Sequence, residues 1–339
     1  METREDKIRE AQRAYDNGTP IMSDAEFDAL AGKDGAPLDA SLAGKVKHKI
    51  PMLSQGKCHS YDEVFKFVKK TNDFNYSVTM KMDGLSCSLV YENGILKCAS
   101  TRGNGDAGED ITRNVKAYVN NLPVKIPYDG TIEIRGEIVT GIPKMPNARN
   151  VATGMCARRD KAIVPDKVPL KFFAWDLIDD LTIRSESEKK NYIQELGFAF
   201  VLGFVSRGGD IIECVKELER LAKRDDALAA DGIVIKCCSP AKQAKLGVTA
   251  HHPKYSIAYK FAPPEVETTV NHIEITFGAK TGKQTPVAHI NPVMLDGAVV
   301  KKVSLGSMAV MSELGIKEGS RVMVARSGGV IPHITKVLG

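Results

Sequence analysis

The segment Tyr76 to Met82 alternates with a period of two, with Val78, Met80 and Met82 on one face and Ser77, Thr79 and Lys81 on the other. This is the pattern of a half-buried strand, because successive side chains of an extended backbone point to opposite sides. The run closes on Lys81-Met82-Asp83-Gly84, so a lysine stands on the polar face at the end of the strand, followed by a carboxylate and a glycine. Asp-Gly is an ordinary hairpin signal, and a solvated strand lysine before a turn is the plain reading of the tetrapeptide alone.

The alternation recurs downstream. Leu89 to Ala99 carries Glu92-Asn93-Gly94-Ile95, a two-residue hairpin signal, and further strands are expected at Thr131 to Val139, Leu170 to Leu177, Gly232 to Cys238 and Ser256 to Phe261. Amphipathic helices are expected at Tyr61 to Lys70 and Ile211 to Lys223. Hairpins mixed with separated helices predict an α+β fold rather than a doubly wound sheet. Ahead of these, Ser23-Asp24-Ala25-Glu26 forms a capping box that opens a short helix through Leu30, and Gly32 to Gly44 reads as a linker. Pro263-Pro264 marks a second boundary. Beyond it, short strands at Thr269 to Phe277, Thr285 to Val293, Ala298 to Leu305 and Arg321 to Ala325, with a helix near Met308 to Leu314, fit a small OB-type β-barrel. The expected division is 1–45, 46–264 and 265–339.

Composition narrows the setting. With 339 residues, 43% hydrophobic and 26% charged, the chain can bury an ample core, and nothing suggests disorder. It has no run of 18 apolar residues and its first ten residues are charged, so a cytoplasmic chain without a membrane span is expected. The seven cysteines form no CxxC spacing and are expected to be reduced thiols, with no zinc site. Net charge is +5 and unevenly spread: residues 1–45 hold six basic and ten acidic side chains, residues 268–339 eight basic and four acidic. The C-terminal segment is the expected polyanion surface.

Further along stand Thr101-Arg102-Gly103-Asn104-Gly105-Asp106, Arg135-Gly136-Glu137, Asn147-Ala148-Arg149-Asn150, Asp231-Gly232-Ile233-Val234-Ile235-Lys236 and Tyr259-Lys260-Phe261. In this order, after Lys81-Met82-Asp83-Gly84, they resemble the NAD-dependent DNA ligases from about Tyr15 to the C-terminus. The resemblance implies a lysine nucleotidyltransferase (ATP-grasp-like ligase) core with a small N-terminal helical lid and a C-terminal OB-fold. It also implies that Lys81 attacks the α-phosphate of NAD+, that AMP passes through a lysyl-AMP to the 5′-phosphate of nicked double-stranded DNA, and that Mg2+ (Mn2+ is possible), held mainly by phosphates, assists. A monomer is expected. Larger members continue into zinc, helix-hairpin-helix and BRCT modules, so the sequence reads as a minimal ligase or a fragment. An ATP-dependent or RNA-directed relative, and a nick-binding module without turnover, are the rival readings.

An attacking amine must be unprotonated, while a free lysine has a pKa of about 10.4. Arg102, Arg149, Lys236 and Lys260 are the cations that would repel a proton from Lys81 and stabilise phosphate charge. Strand periodicity puts Lys236 and Lys260 on the less apolar faces of their strands, which solvated lysines would also satisfy. The resemblance makes Lys81, Asp83, Lys236 and Lys260 the catalytic set. Glu137 would contact the nucleotide ribose, the alternative being a salt-bridge ladder with Arg135. Trp175 stands where the family carries a tyrosine that stacks on adenine, the alternative being core packing beside Phe172 and Phe173. Tyr15, Asp24 and Asp28 would face the cationic nicotinamide, unless they only line a solvated helix face. Arg149, Arg158, Lys280, Lys301, Lys302 and Arg326 would hold DNA by its backbone, unless they form an ordinary charged surface. Thr79 departs from the family, which carries there a glutamate that reads the adenine amino group.

Overall fold

The computed structural model describes residues 45–158, 168–178, 183–224, 226–277, 284–295, 298–327 and 331–339. Tyr15, Asp24, Asp28, Lys280 and the expected lid therefore lie outside the described residues.

Strands β1 (Lys45–Lys47) and β2 (Gly56–Cys58) and helix α1 (Tyr61–Thr71) precede β3 (Asn75–Met82). Next come β4 (Leu85–Glu92), β5 (Ile95–Thr101), β6 (Ala107–Glu109), α2 (Thr112–Tyr118), β7 (Thr131–Thr140), α3 (Ala148–Cys156) and β8 (Leu170–Ile178). The core continues through α4 (Glu186–Glu195), β9 (Gly203–Arg207), α5 (Ile211–Ala222), β10 (Ala230–Cys237), α6 (Pro240–Leu246) and β11 (Ser256–Lys260). The last segment holds β12 (Val266–Phe277), β13 (Gln284–Leu295), β14 (Ala298–Ser304), α7 (Met308–Glu313), β15 (Arg321–Ser327) and β16 (Ile331–Val337).

Two sheets build the α+β core, in the orders β2-β11-β10-β3-β9 and β5-β4-β7-β8. Each is apolar on one face only. On the first, Tyr76, Val78, Met80, Ile233 and Ile235 pack against Val64 and Phe67 of α1 and Ile211, Val215 and Leu218 of α5. On the second, Leu89, Tyr91, Ile132, Ile134 and Ile138 pack against side chains of α2, α3 and α4, among them Val115, Met155 and Ile193. Burying such a side chain contributes roughly 1.5–3 kcal/mol, so the helices cover the apolar faces and leave the polar faces to a cleft. Both helices that flank the first sheet are specified locally. Ser60 and Glu63 form a reciprocal capping box at the start of α1, Asn72 closes it in the left-handed region (φ 46°), and the 211/215/218 spacing of α5 places three buried residues on one stripe.

Asn93 (φ 50°) and Gly94 (φ 80°) make the expected tight turn between β4 and β5. Asp83-Gly84 makes no hairpin. It carries the chain from the first sheet to the second, since β3 pairs with β9 and β10 and β4 with β5 and β7. Glycine is required there by a close approach: a Cβ at Gly84 would lie 2.2 Å from the Ile138 carbonyl oxygen.

The C-terminal strands pair in the order β14-β13-β12-β15-β16, with β14 also lying against β16, around a core that includes Val270, Ile290, Val303, Val322 and Val324. This is the small barrel that the spacing predicts, with a fifth strand added to the four expected. Strand β16 was not expected, because Pro332 near its start breaks the strand signal; Pro332 pairs with Arg326 near the strand's beginning, where a proline is tolerated.

Candidate active site

Polar side chains from both sheets line the cleft between them. β3 supplies Ser77, Thr79 and Lys81, β10 supplies Val234 and Lys236, and the opposite wall supplies Ser86, Glu137, Trp175 and Asp176. Lys81 pairs in register with Gly232, and Ser77 with Lys236, so the two lysines stand four residues apart along the floor. At the rise of extended chain this is about 13 Å, giving the cleft two cationic ends.

At the first end, Asp231 sits between two lysines. Its Oδ1 lies 3.3 Å from Lys81 Nζ, an ion-pair contact, and makes no hydrogen bond among the described residues; its Oδ2 accepts a hydrogen bond from Lys260 Nζ. Burial first and the Lys81 charge second hold the Lys260 ammonium below the usual lysine range, against the opposing pull of Asp231. Asp83 follows Lys81 by two residues and lies 3.8 Å from Arg149 Nη1; burial, then the negative charge of Asp231, push its carboxyl up. Arg102 lines the same cleft and donates from Nη1 to Ser54 Oγ at 3.3 Å. Glu137 accepts a 2.7 Å hydrogen bond from Ser86 Oγ, and burial pushes its carboxyl up to about 7.

At the second end, Lys236 is held by Asp176 Oδ2 at 3.3 Å and Glu186 Oε1 at 3.0 Å, and Lys189 contacts the same two carboxylates at 2.5 and 3.4 Å. Burial alone would discharge Lys236, but Asp176 and Glu186 outweigh it and hold the ammonium above its usual range. Asp176 is correspondingly held below the usual carboxylate range, its burial outweighed by Lys189 and Lys236. The expectation that Lys236 repels a proton from Lys81 is therefore corrected: Lys236 is paired with carboxylates four residues down the strand, and Lys260 is the cation that shares a partner with Lys81.

The model of the NAD-dependent DNA ligase adenylation domain matches residues 41–264, and that of the NAD-dependent DNA ligase OB-fold domain matches residues 267–339. The chain belongs to the NAD-dependent DNA ligase family. It is 34% identical to the DNA ligase of Campylobacter hominis over 97% of this chain and 56% of that protein, and 35% identical to that of Campylobacter lari over the same shares. The DNA ligase of Bacillus licheniformis is 36% identical over 90% of this chain and 48% of its own length. The chain thus spans about half the length of the curated relatives it matches.

Within this ligase-family cleft, Lys81, Arg102, Glu137, Trp175 and Lys236 line one cavity, with Asp83 and Lys260 grouped at the Lys81 end. The ladder alternative for Glu137 is settled differently: Arg135 pairs with Glu133 at 2.6 Å, both buried, while Glu137 turns to Ser86. Arg135 also donates to the Ile50 and Pro51 carbonyls, pinning the strap whose next residues, Met52 to Gln55, line the cleft. Gln55 Oε1 and Ser256 Oγ are buried and lack a hydrogen-bond partner among the described residues, and both residues line the cleft. Arg149 stands beside Asp83; Lys301 and Lys302 lie exposed on β14, with Lys302 3.5 Å from Glu274; Arg326 donates to the Leu295 carbonyl; and the Arg158 carbonyl accepts from Asn114. Asp176, Glu186, Lys189 and the strap were missed from sequence. Only Glu186 and Lys189, three apart on one helix, left a visible sign.

Proposed function

We propose that this chain seals nicks in duplex DNA, using NAD+ as adenylyl donor and Lys81 as nucleophile. The observation that carries this reading is Lys81 at one end of a two-walled cleft, sharing Asp231 with Lys260. The donor set suits a dinucleotide: Trp175 offers an aromatic face, Glu137 and Ser86 a hydroxyl-binding pair, Lys236 a half-buried cation, and Gln55 and Ser256 polar atoms without a hydrogen-bond partner among the described residues. NAD+ supplies the AMP phosphorus and a cationic leaving group. Asp231 Oδ1, 3.3 Å from Lys81 Nζ and without a hydrogen bond among the described residues, is placed to accept the proton that Lys81 Nζ must lose. Lys260, Arg102 and Arg149 then bear on the developing phosphate charge. Asp83 and Asp231 would be the carboxylates available to Mg2+ held mainly by phosphates, which would supply further charge neutralisation. Tyr15, Asp24 and Asp28 would hold the nicotinamide, and Arg149, Arg158, Lys280, Lys301, Lys302 and Arg326 the DNA backbone.

The test is mass spectrometry after incubation with Mg2+ and either NAD+ or ATP, followed by a nicked duplex. An AMP-sized adduct formed with NAD+ and discharged by the nick is expected. An adduct formed only with ATP, or discharged only by nicked RNA, would replace the donor or the substrate. The absence of any adduct would remove the enzymatic reading.

A further inference from the structure

We infer that Asp176, seated by Lys189, is the residue that reads the exocyclic amino group of adenine; the inference rests on the nucleotidyl-transfer reading above. The distance between the Lys81 row and the Lys236 row, about 13 Å along extended strands, is comparable to the span of a nucleoside monophosphate from phosphorus to base edge. A nucleotide whose phosphorus meets Lys81, with its base between Trp175 and Val234, brings its base edge to Lys236 and Asp176.

Asp176 reaches the cleft through an irregularity in strand pairing. Arg135 pairs with Asp176 but Gly136 with Ala174, leaving Trp175 unpaired, so consecutive residues 175 and 176 both line the cavity. One oxygen is committed: Oδ1 accepts from Lys189 Nζ at 2.5 Å and from the Leu177 amide at 2.9 Å. The other, Oδ2, has only Lys236 Nζ at 3.3 Å among the described residues. Glu186 is the less suited carboxylate, because its Oε1 already meets Lys236, Lys189 and Gln243 and the residue is almost wholly buried. An ammonium donor and a carboxylate acceptor thus stand side by side. Adenine offers the complement, the N1 lone pair next to an amino donor, whereas hypoxanthine reverses both positions. Thr79, one row nearer Lys81, has a hydroxyl that can donate or accept, and so cannot separate the two bases. A carboxylate held ionised can only accept.

Binding of AMP and IMP, titrated calorimetrically on the Lys81→Ala background, where neither ligand can react, tests this. With Asp176 in place AMP should bind roughly tenfold or more tighter than IMP, the worth of one hydrogen bond to a charged group. Asp176→Asn keeps the shape but can turn its amide to donate, so it should gain affinity for IMP and narrow the ratio. Asp176→Ala should narrow it by losing affinity for AMP; if that variant does not fold, the isosteric asparagine decides. An unchanged ratio in Asp176→Asn, or equal binding of AMP and IMP at the outset, overturns the inference. Adenylation of the chain that keeps Lys81, together with an unchanged ratio in both Asp176 variants on the Lys81→Ala background, retains the proposed function and removes this assignment. A chain that separates AMP from IMP but never forms an adduct does the opposite, and one that binds neither loses both.

Discussion

At the scale of the residue, the site is a set of charges whose partners decide what each can do. Lys81 contacts a carboxylate oxygen, Asp231 Oδ1, that accepts no hydrogen bond among the described residues, which suits a group that must give up a proton. Lys81→Arg should abolish adduct formation as fully as Lys81→Ala, because a guanidinium stays protonated; mass spectrometry showing a wild-type rate of adduct in either variant would remove Lys81 from the role. Glu137 carries a pH signature. Its carboxyl is raised from 4.5 to about 7 by burial, so between those values the folded state binds more protons than the unfolded chain. This contribution to stability is present below pH 4.5 and is lost as pH rises towards 7, where the half-buried carboxyl is forced to ionise. Glu137→Gln removes the ionisation, and the melting temperature of the variant relative to wild type should rise between pH 5 and pH 8. A difference independent of pH would show that Glu137 titrates normally. Periodicity places Lys81 and Glu137 on the polar faces of regular strands and the family resemblance gives them their roles; Asp176 has neither signal, since only the bulge at Trp175 brings it to the cleft.

At the scale of the element, the cleft depends on two joints. The first is Asp83-Gly84, which looks like a hairpin turn in sequence but joins two sheets; which partner a strand takes is a long-range choice that a local turn signal does not encode. Gly84→Ala would drive a Cβ into the Ile138 carbonyl, with no flexible side chain to give way. A loss of about 2–4 kcal/mol in urea unfolding is expected, together with weakened nucleotide binding, since Lys81 lies just before the joint. The second joint is Arg135, whose guanidinium ties β7 to the Ile50 and Pro51 carbonyls. Arg135→Ala leaves Glu133 buried without its cation and should cost roughly 3–5 kcal/mol. Arg135→Lys should recover little of it, because a single ammonium cannot reach the carboxylate and two carbonyls at once. Recovery to wild-type stability would mean that charge alone, rather than the fork of donors, holds the strap. The hairpin at Asn93-Gly94 and the alternation of β3, β7, β10 and β11 were legible because they are local; the short strands β1, β2 and β6 were not, since three residues carry no period.

At the scale of the whole molecule, positive charge is concentrated in the barrel, with residues 268–339 holding four more basic than acidic side chains of a net +5. Charge count alone makes Lys301 and Lys302 equivalent, but their neighbours separate them. Lys302 lies opposite His289 in the sheet and 3.5 Å from Glu274, so part of its charge is already compensated before any phosphate arrives. Lys301, its neighbour on the strand, points to the other face. If the barrel grips the DNA backbone, binding of a nicked duplex should weaken as salt rises, and each lost phosphate contact should reduce the log-log slope by about 0.9. Lys301→Ala should therefore lower the slope by nearly that amount if its face is the gripping one. Lys302→Ala should lower it by less, and Glu274→Gln should raise affinity by freeing Lys302. Adenylation, which involves no DNA, should change far less with salt in all three variants. Equal slopes for wild type and both lysine variants, measured by fluorescence anisotropy across a salt series, would place the DNA on a different surface. A larger loss from Lys302 than from Lys301 would make the Glu274 face the contact, with the carboxylate displaced by phosphate on binding.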